Sequence, residues 1–262
     1  MNQKEEIIKI YQKEDIAKTF DEERFEHPYQ RYKNFIEAKF LIDTLKIAFL
    51  KKDKIKVLNK TFASSDSLKK TDSELVKVLD VACGTGRMLD AIKKSCVEVE
   101  YTGLDTSKAM TKRLLERAKK LGISASVKIG DATSMPFKDN SFDVVYTYHL
   151  TWHLPQELQE KMIREMIRVV KKEGYIVFDV LNANFLWEKI KGLFGRKPTE
   201  GIYKMKISDV KRIMGERNYP TEKLSDFPIK NDFVYSLVNI LNVIRKMLPS
   251  PLFHMVYFRV KK

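Results

Sequence analysis

Cysteine is almost missing from this 262-residue chain: Cys83 and Cys96 are its only two. No second pair exists to complete a thiolate metal site, so no metal is expected, and a reducing, cytoplasmic setting is the simplest inference. Long apolar runs are also missing. None reaches the 18 residues that a membrane-crossing helix needs. The first stretch, MNQKEEIIKIYQKED, is charged and lacks the apolar centre of a signal peptide, so none is expected. No internal repeat is visible.

What remains is globular in composition, with 44% hydrophobic and 32% charged residues. The net charge of +14 is uneven. The first 75 residues carry +2, residues 76–181 carry +3, and residues 182–262 hold 16 basic against 7 acidic side chains. A basic last third suits an anionic partner: a membrane surface, a phosphorylated small molecule or RNA. A general enrichment in lysine explains the same bias equally well.

Apolar spacing predicts helices within residues 4–52, split at His27-Pro28. Residues 51–74 read as a partly helical connector and a loop. From Leu75 the chain alternates. Strands are predicted at Val76–Val81, Val97–Asp105, Ala125–Ile129, Phe142–Thr147 and Tyr175–Leu181, with helices at Met88–Lys94, Lys108–Leu121 and Gln156–Val170. Such alternation predicts a doubly wound, mostly parallel α/β sheet. Beyond Asn182 the rhythm breaks: an amphipathic segment at Asn184–Phe194, a helix at Ser208–Arg217, a strand at Leu224–Ile229, an apolar stretch at Phe233–Leu248 and an antiparallel last strand at His254–Val260.

The sequence turns on Val78-Leu79-Asp80-Val81-Ala82-Cys83-Gly84-Thr85-Gly86-Arg87-Met88-Leu89, an apolar strand running through a glycine turn into a helix. Gly84 and Gly86 let backbone approach a ligand closely, and a helix start presents free N–H groups there. Cys83 reads as a small residue packed beneath the turn, since no histidine lies near it in sequence. Asp105 ends the second strand, nineteen residues past Gly86, where a carboxylate can take both hydroxyls of a ribose or simply cap the next helix. Asp131, in Gly130-Asp131-Ala132, can accept from an exocyclic amine while small Ala132 admits a planar base. Tyr148-His149 follows the fourth strand, at the edge where open α/β sheets bind ligands. The position three beyond Gly86 is Leu89, which disfavours a nicotinamide-type G-x-G-x-x-G turn.

VLDVACGTGRML, YTGLDTSKAM, GDATSMPFKDNSFDVVYTYHLTWHLP and RVVKKEGYIVFDVLN, in that order over residues 76–182, resemble the class I S-adenosylmethionine (SAM)-dependent methyltransferases, particularly the small-molecule branch of ubiquinone and menaquinone methyltransferases. Three departures stand out: Ala82 where the family commonly has glycine, Lys172-Glu173-Gly174 for its Pro-Gly-Gly turn, and Trp152-His153 where relatives often carry two histidines. The resemblance implies a Rossmann-like sheet with an antiparallel last strand. It also implies a single domain over 1–262: a helical lid and connector (1–74), a SAM-binding core (75–182), and an acceptor cap with closing strands (183–262). It assigns the SAM site to Asp80, Ala82, Gly84, Gly86, Arg87, Asp105, Thr106, Met110, Asp131, Ala132, Tyr148 and His149. By the same analogy Tyr11, Phe20, Tyr29 and Arg31 belong to the lid, and Phe185, Trp187, Phe194 and Tyr203 to the acceptor wall; the aromatics would equally serve as the cap's own core.

Methyl transfer from a sulfonium is an in-line displacement with a cationic leaving group, so holding the reactants in line supplies much of the catalysis. A base is needed only for an acceptor that keeps its proton. The candidates are His153 and His149, with Tyr148 as an orienting hydroxyl. The expected acceptor is a small molecule, lipid-like or anionic, with peripheral membrane contact suggested by Trp187 beside Lys189 and Lys191. RNA ranks below it because no RNA-binding module is recognisable. A protein that binds SAM or a related nucleoside without catalysis is the alternative of another class.

Overall fold

The computed structural model describes residues 28–62, 75–186, 201–215, 221–224 and 253–262, with side chains from residue 30 to 52 in the first stretch and at 221 alone in the fourth. Seven strands form one sheet: β1 (Val76–Val81), β2 (Val99–Asp105), β3 (Ala125–Ile129), β4 (Phe142–Tyr146), β5 (Val170–Leu181), β6 (Thr221–Leu224) and β7 (Met255–Lys261). Their spatial order is β3-β2-β1-β4-β5-β7-β6. The β3-to-β5 portion is parallel, while β7 runs antiparallel between β5 and β6. The helices are α1 (Pro28–Phe62), α2 (Leu89–Ser95), α3 (Lys108–Leu121), α4 (Gln156–Val169) and α5 (Ile207–Met214).

Alternation along each strand feeds two cores. Val76 and Val78 pack with Ile36, Phe40, Leu41 and Leu45 of α1 and with Leu89, Ile92 and Leu114 of α2 and α3. Leu79 and Val81 pack instead with Met162, Ile163, Met166 and Val169 of α4 and with Val210 and Ile213 of α5. Period-two geometry therefore puts Asp80 on the face covered by α1 to α3. Ser107 caps α3 by accepting from the Met110 N–H, and Gly122 ends that helix at φ +64°.

Several boundaries differ from the sequence reading. Helix α1 runs unbroken through the lysine-rich stretch to Phe62, because lysine is a good helix former however polar the segment looks. Strand β5 begins at Val170, paired with Phe142, before a register shift carries the chain through Lys172-Glu173-Gly174 to the Tyr175–Val144 pair. A strand lies at Thr221–Leu224, and of the strand expected at Leu224–Ile229 only Leu224 falls within the described residues. Tyr11, Phe20, the Tyr29 side chain, Trp187, Phe194 and the Phe233–Leu248 stretch fall outside the described residues.

Candidate functional site

Three acidic residues converge because each ends, or follows, a parallel strand at the same edge of the sheet. Asp80 is the last residue but one of β1, Asp105 closes β2, and Asp131 lies two residues beyond β3. All three line one cleft of about 1230 Å³, open mouth included. With them lie Ala82, Gly84, Arg87, Thr106, Met110, Ala132, Tyr148, His149 and His153.

The turn between β1 and α2 carries three residues at positive φ: Ala82 (+57°), Gly84 (+51°) and Gly86 (+76°). The two glycines do different work. A Cβ built on Gly84 meets nothing within 4 Å, so bare backbone faces the cleft there. A Cβ on Gly86 would come within 2.7 Å of Leu89 and 2.8 Å of Leu114. Gly86 does not line the cleft; it lets α2 and α3 pack against the back of the turn. Cys83 is buried, with its sulfur 2.7 Å from where a Gly103 Cβ would stand, and burial pushes its thiol well up. A buried, protonated thiol is a packing group, not a nucleophile.

Asp105 anchors the turn. Its Oδ2 accepts from the Gly84 N–H and its Oδ1 from the Ser107 N–H, both at 2.8 Å. Burial raises its pKa against those backbone hydrogen bonds. Asp80 is held from behind: Tyr101 and Tyr146 both donate to Oδ2, at 2.8 and 2.7 Å. Among the described residues no group bonds its Oδ1. Burial dominates over the two phenols and raises this carboxyl to about 7. Asp131 receives the Thr133 N–H and hydroxyl on Oδ1, both at 2.9 Å.

The wall nearest α1 is the part that the sequence reading missed. Glu37, fully buried on α1, contacts His149 Nε2 at 2.6 Å through Oε1 and accepts from Arg87 at 2.6 Å through Oε2. Tyr257 donates to the same Oε1 at 3.1 Å, and Tyr148 donates to the Glu37 carbonyl at 3.0 Å. Asp179 of β5 accepts from the His149 N–H at 3.0 Å. Burial and the neighbouring Glu37 push Asp179 well above the usual carboxylate range. Two signals were present in the sequence: an aspartate inside the apolar strand IVFDVL, and a glutamate among the core-facing positions Ile36, Phe40 and Leu41. Glu37, His149 and Asp179 bring ligand-type atoms within 4.8 Å of one another. Arg87, bonded to Glu37, and Lys33, whose field acts on Asp179, already supply positive charge there.

His153 lines the cleft and accepts from the Trp152 indole at 3.2 Å. The Trp152 ring stacks on His149 and carries the Lys33 ammonium 4.6 Å from its centroid. Tyr203 reaches this corner through its N–H, 2.8 Å from the Trp152 carbonyl, while Phe185 is buried and Arg31 is exposed on α1.

Residues 78–174 match the family model described as a methyltransferase domain. That segment, from the third residue of β1 into β5, carries the likeness to a methyltransferase domain. Among the proteins it is similar to, a demethylmenaquinone methyltransferase of Thermotoga maritima is 42% identical over 69 residues, which cover 26% of this chain and 28% of the relative. A phthiotriol/phenolphthiotriol dimycocerosates methyltransferase of Mycobacterium ulcerans is 30% identical over 155 residues, 55% of this chain and 56% of the relative. The matches thus span about half or less of these relatives' own lengths. Among solved structures, a magnesium protoporphyrin IX methyltransferase from Synechocystis with bound SAH aligns over 100% of both chains at TM-score 0.56 and 13% identity. A 4+2 cyclase aligns over 72% of this chain and 75% of its own at TM-score 0.50 and 18% identity. Both likenesses concern the fold.

The cleft fits SAM on its own geometry. Gly84 offers backbone without a side chain in the way, and Asp80 Oδ1 is open to a cationic amine. The Asp105 and Asp131 carboxylates stand at the successive strand ends where a ribose and an adenine amine would be met.

Proposed function

We propose that this chain transfers the methyl group of SAM to a small, lipid-like acceptor. The observation that carries the reading is the convergence of Asp80, Asp105 and Asp131 with the bare Gly84 backbone in one cleft. The acceptor class is supported by the names of the relatives, a demethylmenaquinone methyltransferase and a phthiotriol/phenolphthiotriol dimycocerosates methyltransferase.

When bound, the cofactor supplies a methyl group already activated on a sulfonium. The chain's own residues do the rest. Asp80 meets the positive amino group, Asp105 takes the ribose hydroxyls, Asp131 takes the adenine amine, and Met110 and Ala132 border the base. Tyr148 and Arg87 close the side toward α1. Much of the rate then comes from orientation of the reactants in the cleft. For an acceptor that keeps its proton, His153 is the better base once the acceptor takes the place of the Trp152 indole on its Nε2 lone pair. His149 has one ring nitrogen on Glu37 and the other, Nδ1, buried.

A cytoplasmic setting with peripheral contact at an anionic membrane belongs to the same proposal, motivated by the basic last third of the chain. The test pairs calorimetric binding of SAM and S-adenosylhomocysteine (SAH) with transfer of labelled methyl from SAM to lipid, RNA and small-molecule extract fractions. Label in the lipid or small-molecule fraction supports the reading. Label in RNA alone overturns the acceptor class, and tight binding without transfer to any fraction favours a non-catalytic SAM-binding protein.

A further inference from the structure

Glu37 lies 41 residues before the segment that matches the methyltransferase-domain family, which begins at residue 78. Its carboxylate nevertheless reaches three separate parts of the core. Oε2 takes Arg87 in the turn after β1, Oε1 meets His149 just past β4, and Oε1 also accepts from Tyr257 of β7. Asn34, one turn earlier on α1, accepts from the same Arg87 nitrogen through Oδ1. Arg87 and His149 both line the cleft.

Each held residue has a reason to need holding. His149 sits at φ +70°, in the left-handed region that a non-glycine residue occupies only when its surroundings impose it. Its N–H is fixed by Asp179 and its ring by Glu37 and the Trp152 face. Arg87 carries a full charge into a buried place, and burial works against that charge while Glu37 more than restores it. A long, rotamer-rich side chain at the edge of an open cleft has many places to go without such a partner.

We propose that Glu37 is a positioning residue of the cofactor cleft: its carboxylate, carried in by α1, sets the places of Arg87 and His149 in the wall that meets the amino-acid end of SAM. The proposal rests on the SAM reading of the cleft. It makes cofactor affinity depend on a helix outside the family-matched segment. The other charged and titratable groups facing the carboxylate are Lys33, Tyr148, Asp179 and Tyr257, and the Tyr148 bond to the Glu37 carbonyl remains to hold α1 when the side chain is neutralised.

Glu37→Gln is the informative variant because it keeps the shape and removes the charge. SAH affinity, measured by calorimetry on the full chain, should fall at least about tenfold, as misplacement of a binding group commonly costs. Glu37→Asp, which restores the charge on a shorter arm, should recover part of the loss. Imidazole nitrogen NMR should show the His149 proton at Nε2 in the wild type and its signal displaced in the Gln variant. In an Arg87→Met background Glu37→Gln should cost less than in the wild type, because half of what it holds is gone. Wild-type affinity in Glu37→Gln, or additive losses in the cycle, would overturn the proposal. Should Glu37→Gln not fold, Arg87→Met and the double variant, which leaves no unpaired buried guanidinium, carry the comparison; equal affinity of the two overturns it. A wild-type chain that binds no SAH at all instead overturns the SAM reading beneath it.

Discussion

At the residue scale, the cleft stores small strains and shifted protons that single substitutions can expose. Ala82 stands at φ +57°, where its Cβ costs roughly 1 kcal/mol relative to glycine. Ala82→Gly should therefore raise stability by several tenths to about 1 kcal/mol in denaturant titration, less the extra freedom that glycine gives the unfolded chain. Asp80 gives the pH signature. Its folded-state value of about 7 is above the ordinary 3.8. The stability it contributes is thus complete below about pH 4 and is lost as pH rises through 7. Asp179 is shifted the same way, so a stability profile alone would mix the two. Binding separates them. A cationic amine favours the carboxylate form, so SAM affinity should strengthen as pH rises from 6 to 8, releasing a proton on binding. Asp80→Asn should bind more weakly at pH 8 and lose that dependence. An unchanged pH profile in Asp80→Asn would remove Asp80 from the amine site.

At the scale of elements, the two glycines of the turn part company. Gly84→Ala places a methyl group in open cleft, with only the positive-φ cost of about 1 kcal/mol on folding. Gly86→Ala drives a methyl group into Leu89 and Leu114, adding an overpacking cost of about 1–3 kcal/mol. SAH titration and thermal melting should show the first mainly weakening binding and the second mainly lowering the melting temperature. Equal melting losses would contradict that division. The sequence could not distinguish them, because both are simply glycines in a turn until Leu114, on the next helix but one, is known to lie behind Gly86. The strands were plain where apolar runs met turn residues, as at Val76–Val81 and Ala125–Ile129. They were obscured where Lys-Lys-Glu-Gly looked like a boundary but Val170 had already paired with Phe142. Asp105 and Asp131 were legible because strand ends in a parallel sheet share an edge, while Asp80 entered the site only through the resemblance to the methyltransferases. Glu37 was not, since a charged residue on a helix is by default read as solvated, and only the burial of Ile36, Phe40 and Leu41 shows that this face points inward.

At the scale of the whole molecule, the uneven charge makes the last prediction. Sixteen of the basic residues fall in 182–262 against seven acidic ones. Described residues add to the basic side elsewhere: α1 leaves Phe35 60% and Leu50 57% exposed, with Lys39 and Lys46 exposed on the same helix. No helix among the described residues is long and apolar enough to cross a membrane. Apolar side chains set among lysines are the composition that lies on an anionic bilayer, where each basic residue near the surface contributes about 1 kcal/mol. Screening limits that contribution to roughly 8 Å at physiological ionic strength and to about 3 Å at 1 M salt. The chain should therefore float with vesicles containing an anionic lipid at low salt and be released near 1 M salt. Phe35→Glu with Leu50→Glu should weaken flotation while leaving SAH affinity unchanged, since neither side chain lines the cleft. Equal flotation with purely zwitterionic vesicles, or none with anionic ones, would sink the membrane part of the proposal and leave methyl transfer to a soluble acceptor standing.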